Sequence, residues 1–577
     1  MEFLSDAIIT IQSLMTYKSM AVAFVLLCSI ILFTPSKAFK TNPISSSTSS
    51  WRDLKLKPLL VDKDSSTSTP SPLSQLKKTL QLDDIRISKL LEDFSSPFLQ
   101  DSLEVEEEQD TVVVQNKKQN ENENSKKGGV THFCFLVHGY NGKPSDLLYL
   151  RSVMVDEAVQ KIQESQCDKI VFHSCQTNYG KTSDGVEAGG ERILQEIQSV
   201  IAKHTNETGD ETEENITVSL IGNSLGGLYS RYAVAKLSNR SSSRNSSSSN
   251  NDSGTEESSM DEEFVTMDGN LKVHFNIFCT TATPHLGISG HTYFPIPRTA
   301  EIGIGKIMGQ TGRDIFRLSN LIHTMCTCPT YLQPLKSFRK RIAYANAYKT
   351  DFVVPTETAA FLNPQSTYPH HVPEQETKDS IESDQSDMVI ATFNTPQVEK
   401  SSDGHSIDGN SGRDATSDDQ SEEDENESRF AKRKRNRKEH KEQLLHMSTK
   451  MDELGWKKVI VDVREHMPLS IKIPSIVKRS TSSNTNATEE TNSHEKEKSP
   501  EKSQNIVESR TIANTFSNPP DKLAFPLGHN TLVAVEKQFL TKTVFKGGRP
   551  VMDGLAREIV DEILAWDLTE DSSSRIS

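Results

Sequence analysis

The chain has 577 residues, a formal net charge of −15 at pH 7 and seven cysteines. Apolar residues make up 34% of it, against roughly 45–50% in ordinary globular proteins. The negative charge argues against nucleic acid as the main partner, because the overall field repels phosphates. The low apolar share predicts a folded domain diluted by polar inserts.

The first 38 residues contain an apolar segment. Lys18 precedes an unbroken run of apolar or small residues from Met20 to Phe33, and Ala38 follows. This run is shorter than the roughly 20 residues that a membrane span needs, so it predicts a signal peptide or a signal anchor. We expect delivery to the secretory pathway or a membrane; the stretch after Phe39 is similar to a plastid-targeting leader, which makes a plastid an alternative. Residues 39–129 are expected to be mostly disordered, with at most a short helix.

The first element predicted for the folded part is an apolar strand. Phe133 to Val137 is predicted to be buried, and His138-Gly139-Tyr140-Asn141-Gly142 follows. If a nucleophile lies further along the chain, the loop after such an early strand is suited to turn a backbone N–H toward the oxyanion of its reaction. Tyr140 is therefore a candidate oxyanion-hole residue. His138 is expected to brace the loop, since a base placed before the nucleophile breaks the usual chain order.

A serine lies at the apex of a predicted strand, turn and helix. The apolar run Ile216 to Ile221 precedes Gly222-Asn223-Ser224-Leu225-Gly226-Gly227, and the helix-like stretch Leu228 to Leu237 follows. Gly222 and Gly226 leave room for a sharp turn that lifts the Ser224 hydroxyl above the sheet. This indicates a nucleophile elbow, with Leu225 as the second oxyanion-hole residue. An ordinary glycine-rich turn is the alternative interpretation.

The candidate acid lies downstream, as the order Ser, Asp or Glu, His requires. Arg341 to Asn346 is predicted to be a strand, and Asp351 follows it in a turn that Pro355 closes. A carboxylate just beyond a strand end is suited to orient a catalytic histidine. Asp351 is therefore the candidate acid, and Glu357 is its nearest competitor.

The candidate base is found by elimination among sixteen histidines. Gly528 presents His529 on a late loop, which fits a base that must reach the serine; a surface loop histidine is the alternative interpretation. The others set aside lie in or beside polar sequence or precede the acid: His370, His371, His405, His440, His446, His494, His285 and His291.

These residues belong to a set of motifs that resembles the lipase-like serine esterases of the α/β-hydrolase superfamily. The resemblance covers roughly half of the chain. It implies esterase or lipase activity on acyl esters of glycerolipids, with Ser224, Asp351 and His529 as the triad. Asn223 departs from the family pattern, in which a histidine often precedes the serine. The matching stretches are Phe135 to Gly139, Lys181 to Val186 with Gly190 to Arg192, Ile221 to Tyr232, Thr281 to Gly287, Arg341 to Pro355, Leu454 to Val459 and Gly528 to Asn530.

Alternating strands and helices predict an α/β-hydrolase fold with a mainly parallel sheet covered on both faces. The segment Ile302 to Phe338 lies where this fold often carries a substrate cap, and its apolar residues either line an acyl pocket or form helix core. The predicted strands are Phe133 to Val137, Lys169 to His173, Thr217 to Ile221, Val273 to Cys279, Ile342 to Ala347 and Lys458 to Val463. The predicted covering helices are Leu150 to Ile162, Gly190 to Lys203 and Pro550 to Trp566.

The hydrolase domain is predicted to span 130–568, with a disordered tail at 569–577. Polar composition predicts disordered inserts at about 238–263, 370–449 and 478–519. Within them, the basic run Lys432 to Lys438 follows the acidic run Glu422 to Glu425. The basic run is interpreted as a solvated counter-charge or as a nuclear-import or nucleic-acid patch.

The cysteine pattern predicts neither a disulfide framework nor a zinc site. Cys134 and Cys279 fall in predicted buried strands, and the close pair Cys326 and Cys328 lacks a second pair at ligand spacing. We therefore expect no metal and no organic cofactor. The sequence predicts a carboxylic ester hydrolase that meets its acyl-ester substrate at a membrane surface. A catalytically silent hydrolase-fold scaffold or lipid-binding protein, and an acyltransferase that uses the same serine, are the alternatives; the oligomeric state stays open.

Overall fold

A computed structural model describes segments of the chain between residues 110 and 566. All of them lie in one compact unit, Gln109–Ser577. The described residues are 110–115, 130–162, 165, 167, 169–206, 215–245, 264–267, 271–292, 297–373, 387–398, 429–466, 470–472, 506–517, 522–524, 527–535 and 545–566.

Six parallel strands form the centre of the sheet, in the order β3-β2-β4-β6-β7-β10. All six were predicted from their apolar runs, which are typical of parallel strands buried on both faces. Their bounds are β2 Thr131–Val137, β3 Lys169–Ser174, β4 Asn215–Asn223, β6 Leu271–Thr281, β7 Lys340–Asn346 and β10 Lys457–Val461.

Antiparallel strands extend this sheet on both sides. On one side β1 pairs with β3, and on the other the order continues β10-β9-β8-β12, while β5 pairs with β6. A separate pair joins β11 to β13. The bounds are β1 Thr111–Gln115, β5 Phe264–Met267, β8 Pro369–His371, β9 Val389–Asn394, β11 Ser470–Lys472, β12 Ile506–Glu508 and β13 Lys522–Ala524.

Helices cover both faces of the sheet, as the α/β prediction required. On one face α1 (Leu148–Lys161) packs against α12 (Arg549–Leu564). On the other, α2 (Val186–Asn206) packs against α3 (Leu225–Asn245). Alternate strand residues supply the two cores: Cys134 and Leu136 face α1 and α12, whereas Phe133 and Phe135 face α2 and α3. In α12 the predicted stripe is buried: Val551, Leu555, Ile559 and Ile563.

Four short helices connect β6 to β7 in the predicted cap segment. They are α4 Arg298–Ile307, α5 Gly309–Ile315, α6 Leu321–Thr327 and α7 Pro329–Lys336. Ile315, Phe316 and Ile322 belong to the buried core on the α3 face, which favours the interpretation as helix core. Ile304 and Ile307 of α4 are instead exposed, Ile307 by 88%.

The remaining helices pack around the edge of the sheet and in the late loops. They are α8 Thr356–Ala359, α9 Arg429–Asp452, α10 Ser509–Ser517 and α11 Gly528–Leu532.

Parts of the predicted disordered inserts are folded, so the disorder prediction is wrong there. α3 continues to Asn245, β9 and most of α9 lie within 370–449, and β12 and α10 lie within 478–519. The physical reason is that a few apolar side chains in these polar stretches become buried against the sheet: Met388, Phe393, Leu444, Met447 and Ile512. The rest of these inserts lies outside the described residues.

The predicted leader also lies outside the described residues, as do 39–109 and the tail 569–577. Within the described segments, the helices are all too short or too polar to cross a membrane.

Candidate active site

Ser224 lies at the sharp turn between β4, which ends at Asn223, and α3, which begins at Leu225. Its φ of +55° is in the left-handed region that residues with side chains rarely adopt. The Ser224 N–H donates to the carbonyl of Thr281 at 2.8 Å, which ties the turn to the end of β6. The serine is therefore held in a strained conformation, as a nucleophile elbow requires.

Steric hindrance excludes any residue with a Cβ atom at the two glycine positions predicted at the elbow. A Cβ atom at position 226 would lie 2.1 Å from the carbonyl oxygen of Val137, and one at position 222 would lie 2.4 Å from the Cα of Gly227. These separations are far below van der Waals contact. Gly222 and Gly226 thus let α3 start directly against the ends of β2 and β4.

Asp351 and His529 are hydrogen-bonded in the structure. The Nδ1 of His529 donates to Oδ2 of Asp351 at 2.8 Å, although 178 residues separate them. Asp351 is 1% exposed, and the His529 side chain is 12% exposed. Because a carboxylate only accepts, the neutral imidazole carries its proton on Nδ1 and keeps the Nε2 lone pair available.

The other contacts of Asp351 hold the carboxylate in place. Its Oδ1 accepts the backbone N–H groups of Val353 and Val354, each at 2.8 Å. Its Oδ2 also accepts Nδ2 of Asn346 at 3.2 Å, so Asn346 and His529 share one oxygen. These four hydrogen bonds fix the carboxylate plane relative to the imidazole, the arrangement that orients a catalytic base.

The turn that carries Asp351 is joined through its backbone to the start of α11, which carries His529 and so differs from the predicted loop. Gly528 donates its N–H to the carbonyl of Thr350 at 2.8 Å, and Asp351 forms an antiparallel bridge with Leu527. A Cβ at Gly528 would lie 2.6 Å from the Thr350 oxygen, so the close approach depends on glycine. This junction places His529 beside Asp351.

Ser224 and Asp351 follow strands that end at the same edge of the sheet, and His529 reaches this edge through its junction with Asp351. Asn223 pairs with Thr281, and Thr281 pairs with Tyr344, so β4, β6 and β7 end side by side. Neighbouring strands lie about 4.8 Å apart, which places the serine two strands from the loop that holds Asp351. The carboxyl ends of parallel strands are where α/β folds assemble their sites.

The loop after β2 is pressed against the nucleophile. A Cβ at Gly139 would lie 2.6 Å from the Cβ of Ser224 and 3.1 Å from its Oγ. Tyr140, the next residue, is half-buried, and Leu225 occupies the first position of α3, where N–H groups lack intrahelical acceptors. Of the two predicted oxyanion-hole residues, Leu225 thus directly follows Ser224, and Tyr140 directly follows Gly139, which packs against Ser224. Buried His138 donates from Nδ1 to the carbonyl of Gly139 at 3.1 Å, consistent with the predicted bracing.

Thr182 supports the loop after β2, and no role was predicted for it from the sequence. Its Oγ1 accepts the N–H of Asn141 at 2.9 Å, and Asn141 has a strained φ of +52°. Its carbonyl accepts the hydroxyls of Thr311 in α5 at 2.6 Å and of Tyr229 in α3 at 3.2 Å. The only sequence signal was that the stretch Lys181 to Val186 matched the family pattern.

Arg192 of α2 organises the turn that contains Thr182. Its guanidinium donates to Asn178 Oδ1 at 2.7 Å, to Asp184 Oδ2 at 3.0 Å and to the carbonyl of Lys181 at 3.0 Å. This fork of bonds fixes the turn on both sides of Thr182.

The comparison with protein families agrees with this geometry. Residues 127–362 match the model of a family described as "Putative serine esterase (DUF676)". This part of the chain, about two-fifths of the whole, is similar to that family. The match contains Ser224 and Asp351, whereas His529 lies beyond it, and it supports a serine hydrolase in general. No curated protein matches the chain.

Glu357, the competing candidate acid, and Asn223, which departs from the family pattern, have other contacts. Glu357 lies in α8 and acts electrostatically on His291, whose pKa burial lowers. Asn223 accepts the Thr281 hydroxyl through Oδ1 at 3.0 Å, so its side chain is engaged with β6.

Two histidines that were set aside as parts of polar sequence are structural. His370 is fully buried and contacts Nζ of Lys458 at 2.9 Å. His440 contacts Arg317 at 2.6 Å. Their positions depend on residues far away in the sequence, which local composition does not reveal.

One group of the described side chains has the spacing of metal ligands. His173, Cys175 and Glu196 offer atoms within 4.8 Å of one another. However, the imidazole of His173 already contacts Glu196 at 3.0 Å and the Thr111 hydroxyl at 2.8 Å. Burial also raises the pKa of the Cys175 thiol well above its usual value, which favours the protonated form over the thiolate that metals bind. The expectation of no metal stays a prediction.

Proposed function

We propose that the protein cleaves acyl esters through an acyl-enzyme on Ser224, with His529 as base and Asp351 as the residue that orients it. The observation that carries this proposal is the His529–Asp351 hydrogen bond at 2.8 Å, formed at the sheet edge where the strained Ser224 lies. A serine hydroxyl needs such a base because it is a weak nucleophile at its free pKa.

The mechanism follows from the tautomer that Asp351 selects. Ser224 Oγ attacks the ester carbonyl while its proton moves to Nε2 of His529, and the imidazolium is stabilised by Asp351. The backbone N–H groups of Tyr140 and Leu225 hold the oxyanion. His529 then protonates the departing alcohol, and the acyl group stays on Ser224. Water, deprotonated by His529, attacks this ester, and the released Oγ recovers the proton.

A glycerolipid is the substrate class that we favour. The family resemblance supports it, and so do Ile304 and Ile307, exposed on α4 in the cap segment. Large apolar side chains on a surface are suited to contact a lipid phase. We place the protein at a membrane, with delivery by the apolar segment near its amino terminus.

An activity-based probe tests the mechanism. A fluorophosphonate should label the wild type and should not label Ser224→Ala, while Ser199→Ala, an exposed serine on α2, should label normally. Turnover of Ser224→Ala should fall by several orders of magnitude. Absence of labelling in folded wild type would favour a silent scaffold, and an alcohol acceptor that outcompetes water would favour an acyltransferase.

A panel of substrates tests the lipid assignment separately. Wild type and Ser224→Ala should be compared on glycerolipids in vesicles and on soluble short-chain esters. Faster Ser224-dependent cleavage of the glycerolipids is expected. Cleavage restricted to the soluble esters would contradict the lipid assignment while leaving the mechanism in place.

A further inference from the structure

Helix α9 divides into a buried half and an exposed, basic half. In the carboxyl-terminal half Leu444, Met447 and Met451 are buried in the core on the α3 face. In the other half the described side chains from Lys434 to Glu439 are all exposed. Packing of the buried half therefore stabilises the polar half of the helix, which would have only marginal stability as an isolated helix.

The exposed half concentrates positive charge on an acidic chain. Between Arg429 and Lys441 the sequence has eight Lys or Arg and one Glu, although the whole chain carries a net charge of −15. Two ion pairs along the helix, Arg435–Glu439 at 3.7 Å and Lys438–Glu442 at 3.6 Å, are solvent-exposed and weakly coupled. Lys434, Arg437 and Lys441 have no carboxylate partner among the described residues. Their spacing of three and four places them on one side of the helix.

His440 ties this basic half to the catalytic edge of the sheet. Its Nε2 contacts a guanidinium nitrogen of Arg317 at 2.6 Å, and a Cβ at Gly290 would lie 3.1 Å from the same Nε2. Burial and the nearby Arg317 lower the pKa of His440 to about 4, so the ring accepts the Arg317 N–H. Gly290 belongs to the segment that leaves β6 after Thr281, the residue that holds the Ser224 N–H.

From this juxtaposition we propose that the basic half of α9 docks the protein on anionic membranes, beside the segment that borders the catalytic serine. The choice of a lipid surface rests on the proposed function. The charge pattern supports it, because clusters of four to eight basic residues on a helix bind anionic lipids. A nucleic acid fits less well, since the apolar side chains of Ile304 and Ile307 exposed on α4 are suited to a lipid phase and have no apolar surface to contact on a duplex.

Flotation with vesicles tests the docking without any need for turnover. Full-length Ser224→Ala protein should bind phosphatidylcholine vesicles that contain phosphatidylserine more tightly than neutral vesicles, and high salt should abolish the difference. Adding Lys434→Gln, Arg437→Gln and Lys441→Gln should weaken binding to the anionic vesicles about a hundredfold, at about 1 kcal/mol per basic residue. The apolar segment near the amino terminus is the same in both proteins, so the difference reports on α9.

A matched control removes three exposed cations elsewhere: Lys203→Gln, Arg313→Gln and Lys546→Gln. This variant should float like its parent. With Ser224 restored, the α9 variant should cleave a soluble short-chain ester at the wild-type rate, which separates docking from catalysis. Absence of fluorophosphonate labelling in every folded protein that retains Ser224 would refute the proposed function and leave the flotation result standing.

Three outcomes would overturn the proposal. The first is equal flotation of the α9 variant and its parent. The second is vesicle binding that appears only after the substitutions Glu422→Gln, Glu423→Gln, Asp424→Asn and Glu425→Gln. That result would show that the acidic run Glu422 to Glu425 itself binds the basic half of α9. The third is tighter binding to duplex DNA than to anionic vesicles, with the same three cations responsible.

Discussion

The backbone N–H of Asn141 donates to Oγ1 of Thr182 at 2.9 Å, which links the loop after β2 to the turn before α2. Asn141 follows Tyr140 and has a φ of +52°. A strained loop conformation persists only when its surroundings hold it. The hydrogen bond therefore fixes the direction in which Tyr140 presents its N–H toward the proposed oxyanion.

Thr182→Val should lower kcat and kcat/KM together by about tenfold, because oxyanion stabilisation acts in the transition state and losing one buried hydrogen bond costs about 1–3 kcal/mol. Thr182→Ser retains the hydroxyl and should keep most of the activity. Steady-state kinetics on a soluble ester, with a melting curve for each variant, measure this. A Thr182→Val enzyme with unchanged kcat would show that the loop needs no such support.

Asp351→Asn should lower kcat by about 10⁴, the size of effect seen when the triad acid of a serine protease becomes an amide and selects the wrong histidine tautomer. Glu357→Gln should retain activity, since that carboxylate lies near His291. Kinetics of the two purified variants distinguish the alternatives. The reverse pattern, with Glu357→Gln inactive and Asp351→Asn active, would exchange the two assignments.

The parallel part of the sheet was predictable because its strands are buried on both faces and therefore read as continuous apolar runs. Strand β9 shows why other strands were missed: Phe393 is buried in it while Ile390 is 37% exposed, so its pattern is weak. Helix α9 was hidden for a related reason. Its buried Leu444 and Met447 are few among many charged residues, and averaging over composition conceals them.

Some residues of the candidate site could be predicted from local sequence patterns, whereas others are identified only by their contacts in the folded protein. The elbow around Ser224 is a local pattern, and chain order narrowed the search for Asp351 and His529. The supports of these residues come from tertiary contacts: Asn346 reaches Asp351 across a loop, and Thr182 reaches Asn141 across 41 residues. Neither residue type nor spacing indicates such contacts in a single sequence.

Gly226→Ala should destabilise the fold by about 1–3 kcal/mol or more, because the added Cβ would meet the Val137 carbonyl at 2.1 Å and either α3 or β2 must shift. Gly554→Ala is the matched control. It lies in α12, where the added Cβ would meet no atom within 4 Å beyond the neighbouring residues and backbone of the helix itself, and it should stabilise the protein by about 1 kcal/mol. Urea unfolding of both variants measures the difference, and a neutral Gly226→Ala would contradict the packing described for the elbow.

A buried ion pair lies below the cap, between Lys458 of β10 and Asp452 at the end of α9. Nζ of Lys458 is 2.5 Å from Oδ1 of Asp452, both residues are fully buried, and the ammonium also lies 4.0 Å from the ring of Phe361. Lys458→Met leaves a buried carboxylate without its cation and should cost about 3–5 kcal/mol. The double variant Lys458→Met, Asp452→Leu should lose less, because no charge stays buried. Urea unfolding at pH 7 compares the three proteins.

The pH dependence of this loss provides a second check with a definite sign. Burial raises the pKa of the Asp452 carboxyl from 3.8 to about 6 even with Lys458 nearby, and removing the ammonium should raise it further. A carboxyl with a raised folded-state pKa contributes stability that is present below about pH 4 and is lost as the pH rises through 6. The stability difference between wild type and Lys458→Met should therefore be larger at pH 8 than at pH 5. If the difference were instead larger at pH 5, the unpaired carboxylate would not be the source of the destabilisation, and lost packing of the Lys458 side chain on Phe361 would be the better explanation.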